Sequence, residues 1–186
     1  MDYIETWKEV MQKPSDFYRA MPKTGGYADP LTFAAISFVI YGLLTVLFNR
    51  GMYMDSMYGG MYGVREFSLP MVLSIVILAP IAGIIYLFIE GAILYIIYKV
   101  LGGTGSYEGT VRFIAYATAV LVLSWIPFIG WIIGLYGIYL YIVGGMFAHN
   151  VSMGKSILAI ILPTVLIILL VVLIVAGLAA FFGIFS

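Results

Sequence analysis

From Phe113 to Ala148 the chain runs for thirty-six residues without one charged side chain. A single helix needs only about 20 apolar residues to cross a bilayer, and Pro127-Phe128-Ile129-Gly130 interrupts the run near its middle. It reads as two helices joined by a tight turn, with Trp125 and Trp131 flanking the turn as an aromatic pair at headgroup level. Three further runs behave alike. Leu31 to Phe48 is uncharged, with Asp29 as N-cap and Pro30 at the first helical position, and it closes at Asn49, Arg50 and Gly51. A second run opens at Ser68 to Pro70 and continues to Val100, with Pro80 and one acid, Glu90, inside it; its length predicts tilt or a kink. The last runs from Ser156 to Phe185 with Pro163 early in it. The expected fold is all-α: a polytopic bundle with spans near 31–48, 69–100, 110–126, 131–148 and 156–185. These five spans form one transmembrane domain over 31–186, preceded by an N-terminal segment, 1–30.

Composition narrows the chemistry. Of the 186 residues 63% are hydrophobic and 10% charged, against about 25% charged in soluble proteins, which excludes a water-soluble enzyme. A net charge of zero gives no electrostatic footprint for nucleic acid. With no Cys and one His, the chain lacks a thiolate nucleophile, a disulfide framework and a Cys- or multi-His zinc site, and no cofactor is expected. The first apolar run starts after thirty residues carrying nine charges, unlike a cleaved signal peptide, so the N-terminus is expected to be retained.

Five spans would put the termini on opposite sides. Lys8, Lys13, Arg19, Lys23, Lys99, Arg112 and Lys155 then share one side, and only Arg50 and Arg65 lie on the other. That asymmetry predicts a cytoplasmic N-terminus and an exterior or lumenal C-terminus. Between Asp2 and Gln12, Tyr3, Ile4, Trp7, Val10 and Met11 recur at helical spacing opposite Glu5, Lys8, Glu9 and Gln12, an amphipathic helix suited to the inner leaflet or to a docking arm. Pro14 and Ser15 break it, and a second short helical turn follows through Phe17, Tyr18 and Met21.

Three features could carry chemistry. Glu90 is the one acid within an expected span; a carboxylate there either faces a cavity as a proton or cation site, or is a structural acid paired with Arg112, Lys155 or a buried Tyr hydroxyl. Met52, Met54, Met57 and Met61 sit in a Met-, Tyr- and Gly-rich exterior loop, where thioethers could close around Cu(I) or merely adapt to the lipid interface. Gly130, Gly134, Gly137, Gly144 and Gly145 would let one helix approach a neighbour, within the bundle or in a homo-oligomer. The glycine-rich stretch Gly102 to Thr110 has no Gly-Lys-Ser or Gly-Lys-Thr and is read as a turn, not a phosphate loop. The sequon at Asn150 falls on the expected cytoplasmic side, where it stays unused.

Several short motifs occur in a fixed order: Pro14 to Tyr18, Gly25-Gly26-Tyr27 before Pro30, Gly102 to Thr110 with Arg112, Ile126-Pro127, and His149 with Ser152, Lys155 and Pro163. In that order and spacing the chain resembles the Yip (Ypt-interacting protein) family of five-span membrane proteins over roughly residues 14 to 163, and most closely its short prokaryotic, archaeal-like branch. The resemblance implies a non-enzymatic membrane protein that organises membrane or recruits partners, with the lipid bilayer and a cytoplasmic protein as partners. Eukaryotic members are linked to Rab-type small GTPases and carry an Asp-Leu-Tyr-Gly-Pro motif, where this chain reads Asp16-Phe17-Tyr18-Arg19-Ala20, keeping the Asp and Tyr. The expected contact residues are Asp16, Tyr18, Tyr27, Tyr107 and Arg112. The alternative reading is a small-solute, ion or lipid transporter working through Glu90.

Overall fold

The computed structural model describes residues 2–48 and 69–181. The secondary structure of the described residues is helical, without strands. Two short helices, α1 (Tyr3–Gln12) and α2 (Pro14–Ala20), form an N-terminal arm. Five more follow: α3 (Ala28–Phe48), α4 (Leu69–Val100), α5 (Tyr107–Ala117), α6 (Leu121–Ser124) and α7 (Ile129–His149), with a 3-10 turn at Thr118–Val120 between α5 and α6. The last is α8 (Met153–Phe181). Four of these helices are long and apolar enough to cross a membrane: Ala28–Phe48, Val76–Val100, Ile129–His149 and Met153–Leu178.

Local chemistry sets the ends. The Asp2 carboxylate accepts the Glu5 N–H at the start of α1, and Ser106 accepts the Gly109 N–H at the start of α5. Asn150 ends α7 in the left-handed region at φ 53, a position Asn tolerates. Pro80 and Pro163 both lie inside continuous helices, α4 and α8.

The expected 110–126 span is the element that differs most from an ordinary membrane helix. Helical geometry tightens after eleven residues because two side chains take carbonyls at that point. The Thr118 hydroxyl donates to Ala115 O at 2.6 Å, and the Trp7 indole N–H donates to Ala119 O at 2.9 Å. The segment nevertheless covers the length of α3. It starts where Ser106 bonds Lys23 O, beside the N-terminus of α3, and ends where Trp125 stacks on Phe48, the last residue of α3, with ring centroids 4.5 Å apart.

α5 is the core. Every residue from Gly109 to Ala117 is buried, Arg112 included. Around it stand α3, α4, α7 and the arm. Gly91 of α4 lies against Val111 and Gly144 of α7 against Phe113, so closely that a Cβ at either would crowd those side chains. In α7 the expected close approach holds at Gly144 and Gly145, whereas Gly134 faces open space.

Candidate functional site

One end of the bundle is tied together by polar groups from three separate stretches. The first is the loop after the arm. Gly25 and Gly26 have φ of 118 and 87, values that favour glycine, and this turn aims the Gly26 N–H and carbonyl at α5. Gly26 N–H donates to Glu108 Oε1 at 2.6 Å, Arg112 Nη1 donates to Gly26 O, and Arg112 lies 3.9 Å from the same Glu108 oxygen. One loop residue is thus held at both its backbone groups by an acid and a base one helical turn apart.

The second stretch joins α4 to α5. Gly103 N–H donates to Tyr98 O and Thr104 N–H to His149 O. A Cβ on Gly105 would collide with Ala148 O and the His149 ring, so glycine is needed there for backbone to pass backbone. The third joins α7 to α8. Asn150 donates to Thr104 Oγ1 at 2.9 Å and accepts from Lys23 Nζ at 2.8 Å, while Lys155 Nζ donates to Leu101 O at 2.8 Å.

His149 is the hub of this end and is fully buried. Its ring stacks on Tyr98 with centroids 4.2 Å apart and planes 8° from parallel. Its Nε2 is 2.8 Å from Thr110 Oγ1, and the Thr110 hydroxyl donates to Ser106 O. Since that hydroxyl has one proton, Nε2–H is the donor to Thr110, and in the neutral ring Nδ1 is then an acceptor. Nδ1 has no hydrogen-bond partner among the described residues and lies beside the Gly103 to Gly105 backbone.

The arm is docked along the side of the bundle. Tyr18 is fully buried, with its hydroxyl 3.4 Å from Phe113 O; burial pushes that hydroxyl well above its ordinary range. Phe17 meets Tyr116 edge-on, Arg19 lies over the Phe147 ring, and Tyr136 donates to Met11 O at 2.7 Å. Between α1, α2 and Tyr116 the arm leaves a groove of about 410 Å³, walled by Phe17, Ala20, Met21 and Pro22 and rimmed by Glu9, Lys13 and Asp16.

Of the residues expected to make contacts, Asp16 is exposed on the rim of the groove, and Tyr27 and Tyr107 are half-buried on the α4 side. Tyr27 meets Phe88 edge-on and Tyr107 donates to Phe88 O at 2.8 Å. Tyr18 and Arg112 are buried. Glu90 lies away from this end, accepting a hydrogen bond from Tyr141 at 3.0 Å, so a Tyr hydroxyl is its partner while Arg112 and Lys155 are engaged elsewhere. It borders a cavity of about 390 Å³ between α4, α7 and α8, where Tyr86, Tyr141 and Thr164 are the other polar side chains. Met52, Met54, Met57 and Met61 lie outside the described residues. Reading residues one at a time singled out neither the His149 hub nor the Lys23–Asn150 bond, whose partners are far apart in sequence. The available signal was a lone His and a Lys bracketing glycine-rich turns.

No match was found among curated proteins or solved structures. The family described as the Yip1 domain matches residues 8–176. That match takes in the docked arm from Lys8 onward, the glycine turns, the His149 hub and the long apolar helices of a multi-pass membrane protein, and the chain belongs to the Yip1 domain family.

Proposed function

We propose that this is a non-enzymatic five-span membrane protein that recruits a protein partner through its arm and polar end, on the cytoplasmic side. The observation that carries the reading is the arm groove. Its floor is apolar, its rim holds charges of both signs, and the loop that follows it is clasped to α5 through Gly26, Glu108 and Arg112. An apolar anchor residue on a partner segment, flanked by charge, would find both a pocket and a rim there.

Five crossings are supported by the path from Ser106, bonded to Lys23 O just before α3, to Trp125, stacked on the last residue of α3. The orientation is supported by Lys23, Lys99, Arg112 and Lys155, which gather at the clasped end. Within the proposed surface, Asp16, Tyr27 and Tyr107 are the residues a partner would touch, and buried Tyr18 and Arg112 hold that surface in shape.

A photoreactive group at Asp16, compared with one at exposed Ile81 on α4, tests this in native membranes. The expected result is a discrete protein adduct from position 16 and lipid adducts from position 81. Lipid alone from both positions would sink the recruitment reading.

A further inference from the structure

The bundle offers lipid two sides of unequal height. Exposed apolar residues run from Leu73 to Val100 on α4 and from Ile157 to Leu178 on α8, about 40 Å and about 31 Å of helix. Each matches or exceeds a hydrocarbon core of about 30 Å. The other side, where α3, α5 and α7 meet, is overlain by the arm.

Contacts fix the height of the arm. Tyr3 packs on Phe33 and bonds Ser37, Trp7 bonds Ala119 O, and Met11 O is bonded by Tyr136. Counting from the polar end, Ser37 is nine residues into α3 and Tyr136 thirteen residues into α7, about 14 Å and about 20 Å along those helices. At that height the outer face of α1 and its junction with α2 expose Glu5, Lys8, Glu9 and Lys13. Acyl chains do not solvate such groups, so water and headgroups must reach α1. The helix left beyond it, Ser37 to Phe48, is about 17 Å long.

We propose that the arm makes the protein a one-sided membrane thinner: the leaflet at the polar end dips beside α1, while α4 and α8 keep full-thickness bilayer on the opposite side. The ligand of this surface is the lipid bilayer itself; Glu9 and Lys13 also rim the groove, so the test is made on the protein alone in lipid, with no protein partner present. A protein of this shape gathers where the bilayer is thin, because less lipid deformation is needed there.

The chain has no Cys, so single cysteines report cleanly. Spin labels at Glu5 and Lys8 on the arm are compared with labels at Ile85 and Ile89, exposed on α4 at comparable height, in phosphatidylcholine vesicles. The arm labels are expected to be relaxed by a water-soluble nickel chelate and the α4 labels by oxygen. Full-length protein is then partitioned between short-chain and long-chain phosphatidylcholine bilayers. The triple variant Glu5→Leu, Lys8→Leu, Glu9→Leu, which removes the three charges of α1, should shift towards the long-chain bilayer by about threefold or more. The exchange Lys8→Glu with Glu9→Lys keeps an ionic face and should partition like the native chain, separating polarity from any folding defect. If the arm labels respond to oxygen like those on α4, the thinning is wrong. It is equally wrong if the exchange variant matches the native chain and a triple-Leu variant with native tryptophan fluorescence does so too.

Discussion

Replacing Gly145 by Ala tests whether the Tyr98–His149 hub holds α4, α7 and α8 together. A Cβ at position 145 would overlap the Tyr98 phenol. That ring has nowhere to go: it is fully buried, stacked on His149 and hydrogen-bonded at 2.7 Å to Ser156, whose hydroxyl itself donates to Ile142 O. Overpacking of this kind costs about 1 to 3 kcal/mol, and losing the Tyr98–Ser156 bond about 1 more. The helix preference of Ala over Gly returns about 1, leaving a net loss of about 2 kcal/mol by these estimates. Gly134 lies in the same helix with nothing near its absent Cβ, so the same substitution there should stabilise by up to about 1 kcal/mol. The two variants should therefore differ by about 3 kcal/mol, roughly a hundredfold in the folding equilibrium. Unfolding in mixed detergent micelles titrated with dodecyl sulfate, followed by tryptophan fluorescence, measures both. Native-like stability in Gly145→Ala would refute the packing argument. A loss in Gly134→Ala, accompanied by conversion of a dimer to a monomer, would show that a second copy covers the surface left open in one chain.

Two shorter predictions concern the arm and its clasp. Arg112→Met removes the group that holds Gly26 O and partners Glu108, so trypsin should cut at Lys23 at least about tenfold faster, a loss of about 1.4 kcal/mol or more in local stability; an unchanged rate would mean the clasp is held elsewhere. For Tyr18 the folded state favours the neutral phenol, with its pKa raised above the ordinary 10.0. Its contribution is therefore complete below about pH 10 and falls as pH rises beyond it. Arm docking, followed by hydrogen exchange in α2, should weaken in alkali, and Tyr18→Phe should lessen that dependence, with Tyr3 contributing in the same direction; identical alkaline profiles would contradict it.

The long apolar helices were legible because an uncharged run of some twenty residues in lipid has one way to satisfy its backbone. The 3-10 turn at Thr118–Val120 was not, since besides the local Thr118–Ala115 bond it depends on Trp7, 112 residues from the carbonyl it binds. Glu90 was legible as an anomaly, and a Tyr hydroxyl was among its foreseen partners; which Tyr required knowing how α4 faces α7. The periodicity of residues 2 to 12 predicted which side of α1 is apolar, and Tyr3, Trp7, Val10 and Met11 do pack inward while Ile4 is exposed, but no pattern in the sequence gives the height at which that side docks. The clasp was the least legible part. Its members are ordinary turn residues, and they become a site only when residues 23, 104 and 150 meet.

The separation between the arm and its partners also orders events during synthesis. Trp7 waits for Ala119, Met11 for Tyr136, and Lys23 for Asn150, gaps of 112, 125 and 127 residues. At about 5 to 20 residues per second a ribosome needs roughly 6 to 25 s to make up such a gap. For that interval α1 has only its α3 partners, Phe33 and Ser37, and the membrane surface is the nearest place for the rest of its apolar side. Docking of the arm is then a late step of assembly, completed only after α7 and the Asn150 turn have been made.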